Sequence, residues 1–319
     1  MRKIAVVFPE LDGAQRRRLA SAALSRGFAA EFYDGPEGLE AGLGDAEIVL
    51  AFGAKYAKMA PRVRWFCSTS AGVETYFAPG VLAPGALLSN SSGAYGVTIS
   101  EHIIMVSLEL LRRQPEYEKI VAARGWTRNL GIRSLHGARI TLLGTGDIGR
   151  AAAVRLRAFC PASLVGVNRS GRNPEGLFDR VLPVTELDSV LPETDLLIMS
   201  LPATGQTRGI MSRRRLELLP PGAYIVNVGR GSAIEEAALE DLLGRGRLGG
   251  AALDVFSAEP IPPESSLWTC PGLLITPHVA GNLTLGYTIE TVLGLFLEDF
   301  ENYCAGRPLR RLVGREREY

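Results

Sequence analysis

A short apolar run, Ile140-Thr141-Leu142-Leu143, leads directly into Gly144-Thr145-Gly146-Asp147-Ile148-Gly149, and a helical stretch, Arg150–Phe159, follows at once. Strand, glycine turn and helix in that order leave few folds open to the chain. The run shows no polar alternation, so both of its faces are expected to be buried, as in a parallel sheet covered by helices. Gly144 suits a tight turn, Gly146 lets a ligand approach the backbone, and Gly149 allows helix and strand to pack closely. The first amides of the helix, at Asp147 and Ile148, together with the helix dipole, form a receptor for phosphate groups. A lone glycine pattern is weak. One that follows a strand, opens a helix and leads to a second strand is a dinucleotide-binding signature.

The rest of the chain repeats this alternation of short apolar runs and helices. Strands are expected at Ile4–Phe8, Ala30–Tyr33, Ile48–Phe52 and Trp65–Ser68. A second series is expected at Arg139–Leu143, Leu164–Val167, Leu196–Ser200, Tyr224–Val228, Gly250–Leu253 and Leu274–Thr276. Between the two series, Thr98 and Glu101 read as a capping box in front of a helix ending near Arg112. Ile99, Ile103, Ile104, Val106, Leu108, Leu110 and Leu111 make that helix apolar nearly all round, so burial on several sides, a subunit interface among them, is expected. After His278, Ile289, Val292, Leu293, Phe296, Phe300 and Tyr303 share one helical face. The second series already forms a complete dinucleotide-binding unit, so this last helix is expected to cross back onto the first. The chain then has an α/β fold of two doubly wound parallel-sheet domains. A Rossmann dinucleotide-binding domain, 96–282, is inserted in a discontinuous substrate domain made of 1–95 and 283–319.

Composition narrows the function. Net charge is +1, which gives no field to draw the chain to nucleic acid or anionic lipid. Cys67, Cys160, Cys270 and Cys304 are far apart, so buried thiols rather than a metal site are expected. No apolar stretch approaches the roughly 20 residues of a membrane span, and the reading is of a cytoplasmic protein. Lys is scarce and Arg abundant, so no single Arg carries a functional argument by its presence alone.

The second strand of the dinucleotide unit ends at Val167 and is followed by Asn168-Arg169-Ser170-Gly171-Arg172. An NAD-preferring site carries Asp or Glu about 20 residues past the glycines, to bind ribose hydroxyls. Here the position, 19 residues after Gly149, is the neutral Asn168. Without a carboxylate nothing repels a 2′-phosphate, and Arg169, Ser170 and Arg172 can donate hydrogen bonds to one. The reading favours NADP, with NAD left open if these arginines are only solvated loop residues.

Three segments carry candidate chemistry: Val226-Asn227-Val228-Gly229-Arg230-Gly231, then Ala252-Leu253-Asp254-Val255-Phe256 with Glu259-Pro260, then Thr276-Pro277-His278-Val279-Ala280-Gly281. In a doubly wound sheet all three open at the carboxyl edge, where ligands bind. An Arg, a Glu and a His gathered there suit reduction of a 2-oxo acid. The Arg binds the carboxylate and polarises the carbonyl, the His gives a proton to the oxygen, and the Glu orients the imidazole and favours its charged form. Of the other histidines, His102 reads as a packed helix residue and His136 as a loop residue.

These blocks, with Leu201-Pro202-Ala203-Thr204, resemble the D-isomer-specific 2-hydroxyacid dehydrogenase family in order and spacing over nearly the whole chain. The resemblance implies Arg230, Glu259 and His278 as catalytic residues, and a flavodoxin-like fold for the substrate domain. It implies that Asp254 contacts the cofactor near the nicotinamide, and that Pro202, Thr207, Val228, Gly229 and Gly281 line its pocket. Ser70, Ala71 and Gly72 resemble the loop whose amides hold the substrate carboxylate, and a dimer built around the Thr98–Arg112 helix is implied as well. Asn168 and Arg169 point to the NADP-using reductases of glyoxylate and hydroxypyruvate, with the D-hydroxy acid as product. About forty residues follow His278, too few for the appended regulatory domain of many phosphoglycerate dehydrogenases. Two alternatives stand beside this reading. One is a dehydrogenase of formate or phosphite, although formate enzymes pair the His with Gln rather than a Glu259. The other is a binding protein or corepressor of the same fold that senses NAD(H) without turnover.

Overall fold

The computed structural model describes residues 1–173 and 175–314, and the chain divides into two compact units. One unit joins Met1–Tyr95 to Asn282–Tyr319, and the other is Gly96–Gly281. Residues 315–319, which the sequence reading assigned to the discontinuous domain, lie outside the described residues.

In the first unit five strands form one sheet: β1 (Arg2–Val7), β2 (Phe28–Phe32), β3 (Ile48–Ala51), β4 (Trp65–Ser68) and β5 (Leu87–Ser89). Every pair is parallel and the order is β2-β1-β3-β4-β5, the flavodoxin-like arrangement. All residues of β3 and β4 are buried, as their unbroken apolar character requires. Asp12 caps the helix Gly13–Ser25 by accepting the Ala14 and Gln15 amides, and the Gln15 side chain reaches back to the Asp12 amide. The helix Gly286–Cys304 groups with this unit, which begins its second segment at Asn282. Phe296 stacks on Trp65 with ring centres 5.2 Å apart, Tyr303 lies 5.4 Å from the same indole, and Phe300 meets Phe28 edge-on at 5.3 Å. The strand β5 was not foreseen. It is three residues long, and its edge is covered by the chain end, where the Val313 amide donates to Leu88 O at 2.8 Å.

The second unit holds seven parallel strands: β6 (Arg139–Leu143), β7 (Ser163–Asn168), β8 (Arg180–Pro183), β9 (Leu196–Met199), β10 (Tyr224–Asn227), β11 (Gly250–Leu253) and β12 (Leu273–Ile275). Their order is β12-β11-β10-β9-β6-β7-β8. β7 and β8 run outward to one side of β6 and the remaining four strands to the other, which is the Rossmann order with one strand added. The direction of travel reverses between β6 and β9, and the glycine turn leaves β6 at that point. β8, also missed, is an edge strand that carries an Arg and ends in Pro, neither of which marks a strand.

The helix Gly96–Arg112 begins two residues before Thr98, so the capping box expected at Thr98 and Glu101 does not form. The cap comes instead from a distant residue, because the Gly96 amide donates to the Asp147 carboxylate. Ile99, Ile103, Val106, Leu110 and Leu111 are buried in this unit, where the helix packs on helix Asp147–Arg157 and on β10 and β11. Ile104 and Leu108 are only half-buried, and Met105 is 45% exposed. Burial all round is therefore not achieved within one chain. Of the four thiols only Cys67 is buried, which corrects the expectation for the others; Cys160 is exposed at a turn.

Phe296 and Phe300 are the largest fully buried side chains of the last helix in the first unit. Phe296→Ala is expected to destabilise that unit by about 3–5 kcal/mol, the usual cost of an emptied aromatic site. Urea unfolding followed by Trp65 fluorescence measures this, and an unchanged midpoint would show that the helix does not hold the unit together.

Candidate active site

The site is built on the carboxyl edge of the seven-stranded sheet. Gly146 precedes the helix Asp147–Arg157 without any side chain to cap it, and a Cβ built there would meet no atom within 4 Å. The backbone at this helix N-terminus is thus open to a ligand, and its amides and dipole suit an anion. Gly149 has the opposite constraint. A Cβ there would sit 2.1 Å from Gly144 O, so only glycine lets this helix approach the turn. Asp147 carries a carboxyl raised by burial and lowered in turn by the Gly96 amide and by Arg150. Its charge is engaged by the protein at the start of helix Gly96–Arg112.

Asn168, at the end of β7, does something the sequence reading did not foresee. Its amide nitrogen donates to Thr145 Oγ1 at 2.7 Å and to Arg172 O at 3.0 Å, and its oxygen accepts the Ser170 and Gly171 amides at 2.9 and 2.7 Å. Both ends of the side chain shape the loop 168–172 and tie it to the glycine turn. Arg169 and Ser170 are exposed on that loop. Arg172 lines a small cavity together with Thr145, Arg150 and Glu175. Arg150 and Glu175 form an ion pair at 3.3 Å there. The cofactor fit is therefore a bare helix N-terminus followed by a loop rich in N–H donors.

Arg230 follows β10. Asn227, buried at the strand end, donates to Arg230 O at 3.0 Å and accepts the Gly229 amide at 3.0 Å, while Arg230 Nη1 donates to Gly229 O at 2.7 Å. A Cβ on Gly231 would lie 1.9 Å from the Phe256 carbonyl carbon. The Arg230 turn therefore lies directly against the segment that follows β11. In that segment the Phe256 amide donates to Glu259 Oε1 at 2.8 Å, which explains why the acid stands three residues on. The other carboxylate oxygen, Glu259 Oε2, is 2.7 Å from His278 Nδ1. Both side chains remain accessible, at 36% and 51% exposure. The structure thus brings together the three segments singled out from sequence and pairs the Glu with the His. Glu259 on Nδ1 makes that nitrogen the donor and leaves Nε2 for another partner.

The remaining candidates have definite places. Pro202 and Thr207 share a turn after β9, where Thr207 Oγ1 donates to Pro202 O at 2.7 Å. Val228 and Gly229 are buried beside Arg230, and Gly281 closes the 276–281 loop. Asp254 is buried, and it accepts hydrogen bonds from Thr276 Oγ1, the Val279 amide and the Ala280 amide. In the first unit, Ser70 Oγ donates to Gly72 O at 2.8 Å and Asn90 Nδ2 to Ala71 O at 2.8 Å, so the 70–72 loop is held by side chains. Among the described residues, no acceptor takes the amides of Ala71 and Gly72. From sequence, Asn227 and Thr276 were named only as members of their segments and His102 as a packed helix residue, with no role at the site. Asn227 alone carried a signal, as a polar residue inside an apolar strand.

The comparisons agree with this geometry. Residues 104–280, over half of the chain, match the family model described as D-isomer specific 2-hydroxyacid dehydrogenase, NAD binding domain. The chain is 30% identical to glyoxylate/hydroxypyruvate reductase B of Pectobacterium atrosepticum over 246 residues, covering 74% of this chain and 76% of that one. Its fold is similar to a D-isomer specific 2-hydroxyacid dehydrogenase family protein from Aeromonas salmonicida, with TM-score 0.86, 32% identity and coverage of 98% and 99%. It is also similar to the NADPH-dependent glyoxylate/hydroxypyruvate reductase of Sinorhizobium meliloti, solved with NADP and sulfate, with TM-score 0.82, 27% identity and full coverage of both chains. With two parallel-sheet domains, an open glycine turn and a paired Glu and His on one sheet edge, the chain belongs to the D-isomer specific 2-hydroxyacid dehydrogenase family and is an NAD(P)-dependent dehydrogenase.

Proposed function

We propose that this chain reduces a small 2-oxo acid, glyoxylate or hydroxypyruvate, to the D-2-hydroxy acid with NADPH. The single observation that carries the reading is the 2.7 Å contact between His278 Nδ1 and Glu259 Oε2 at the sheet edge that also bears Arg230. The chemistry the bound nicotinamide supplies is hydride transfer to the carbonyl carbon. His278 donates the proton from Nε2 to the carbonyl oxygen as the C–O double bond opens. Glu259, anchored by the Phe256 amide, holds the ring through Nδ1 and leaves Nε2 directed to the substrate oxygen. Arg230 grips the carboxylate with two N–H groups, a task its planar fork performs and a Lys ammonium does not. The amides of Ser70, Ala71 and Gly72 keep the carboxylate-binding role that the family resemblance implies for their loop. Reduction draws on a reduced nicotinamide pool, and a cytoplasmic setting is proposed with it. Among the described residues, no helix is long and apolar enough to cross a membrane.

His278→Ala is expected to lower kcat for glyoxylate reduction by roughly 10²–10⁴-fold while leaving NADPH affinity nearly unchanged. Steady-state rates and a fluorescence titration measure the two, and near-wild-type turnover would remove His278 from the mechanism.

For the cofactor, we assign Arg169, Ser170 and Arg172 to the 2′-phosphate and the Asp147 and Ile148 amides to the pyrophosphate, with Asn168 shaping the loop. The Sinorhizobium reductase, solved with NADP, supports this choice. Charge-assisted hydrogen bonds contribute roughly 1.5–3 kcal/mol each, so one good contact gives about tenfold preference or more for NADPH. The check is kcat/KM for NADPH and NADH at one ionic strength, across a panel of 2-oxo acids. A preference for NADH would overturn the reading of the 168–172 loop, and a preference for phenylpyruvate would overturn the choice of substrate.

A homodimer is proposed as well. Met105 on helix Gly96–Arg112 is exposed, and Val121, Trp126 and Ile132 are exposed on the segment that follows it, with Trp126 84% accessible. Large apolar side chains grouped along one stretch mark an interface. Sedimentation equilibrium is expected to give twice the chain mass for the wild type and a weakened association for Trp126→Asp. A monomeric wild type at micromolar concentration rejects the proposal.

A further inference from the structure

His278 has φ of +54°, in the left-handed region that non-glycine residues rarely occupy. Such a conformation persists where the surroundings over-determine it, and the fixing groups identify what the site depends on. The His278 amide donates to Thr276 O at 3.0 Å. The next two amides, Val279 and Ala280, donate to Asp254 Oδ1 and Oδ2 at 2.9 and 3.0 Å. Thr276 Oγ1 donates to Asp254 Oδ1 at 2.7 Å. One carboxylate, with its side chain 2% exposed, thus takes three donors from the five residues centred on His278.

The network extends one step further. Thr276 Oγ1 lies 3.2 Å from His102 Nε2. A hydroxyl has a single proton, and here it goes to a carboxylate, which can only accept. The hydroxyl must therefore accept from His102, which places a proton on Nε2. Burial pushes His102 down, and Asp254 opposes this, as suits a neutral ring with Nε2–H. The direction of the chain is then fixed, from His102 to Thr276 to Asp254.

We propose that Asp254 is a positioning residue for His278. Its buried carboxylate clamps the loop on both sides of the left-handed residue, and Thr276 and His102 support the clamp from beneath. The role differs from the nicotinamide contact that the resemblance implied for Asp254, since at least three of its acceptor sites are spent on its own chain. It rests on the reading of His278 as the proton donor.

The test compares Asp254→Asn with Thr276→Val and Thr276→Ser. Asparagine keeps the shape and turns one acceptor into a donor facing an N–H or O–H. Asp254→Asn is expected to lower kcat by roughly 10–100-fold, the cost of a misplaced reacting group, with the NADPH dissociation constant changed by less than about threefold. Thr276→Val should lower kcat less, and Thr276→Ser should restore it. In the free protein, the imidazole proton–nitrogen correlations of His278 should move in Asp254→Asn and Thr276→Val while those of His136 stay in place. An unmoved His278 signal in both variants overturns the clamp, as does a large rise in the NADPH dissociation constant with kcat preserved. If wild type turns over no 2-oxo acid, the proposed reaction falls, and the ring signals still decide the clamp.

Discussion

All seven strands of the second sheet run the same way, and the arrangement of the site follows from that constraint. Parallel neighbours need crossover connections, so each strand's carboxyl end opens into a loop on the same edge. The glycine turn leaves β6, the 168–172 loop leaves β7, Arg230 follows β10, Asp254 and Glu259 follow β11, and His278 follows β12. Residues from different loops become neighbours in this way: Ser200 Oγ, after β9, donates to Gly144 O at 3.3 Å, and His278, after β12, pairs with Glu259, after β11. Exact close approaches complete the alignment. Gly149 against the Gly144 carbonyl and Gly231 against Phe256 leave no room for even one methyl group.

The electrostatics of this edge are asymmetric. The carboxylates near the ligand sites are engaged by the protein: Asp147 by the Gly96 amide, Asp254 by three donors, Glu175 by Arg150 and Glu259 by Phe256 and His278. The cationic and N–H-rich groups, the helix N-terminus at Gly146, Arg172 and His278, are instead left accessible. A protein of net charge +1 can in this way favour a polyanionic cofactor and an acid substrate locally, without a basic surface overall.

Much of this was legible in the sequence because buried parallel strands have few disguises. Trp65–Ser68, Arg139–Leu143 and Gly250–Leu253 were read with the bounds the structure shows. The short edge strands β5 and β8 were not, since β5 is only three residues long and β8 begins with an Arg and ends in a Pro. The start of helix Gly96–Arg112 was misread because its cap, Asp147, lies some fifty residues on, and a local capping box at Thr98 was the only signal available. Asn168 was recognised by position, but its work on the loop depends on where Thr145 and Arg172 fold.

The clamp on His278 shows why such residues escape a reading by motif. Its bonds run from a side chain to main-chain amides, and an amide has no sequence identity. Residues 279 and 280 could be almost any type and still donate to Asp254. What the sequence does display is the acceptor, a carboxylate directly after an apolar strand, and its meaning depends on the backbone it meets. Accessible His278 needs a fixed aim despite lying on a loop, and packing cannot supply it at 51% exposure. A buried anion that gathers the flanking amides supplies it instead, placing rigidity beneath the loop while the imidazole stays open to substrate.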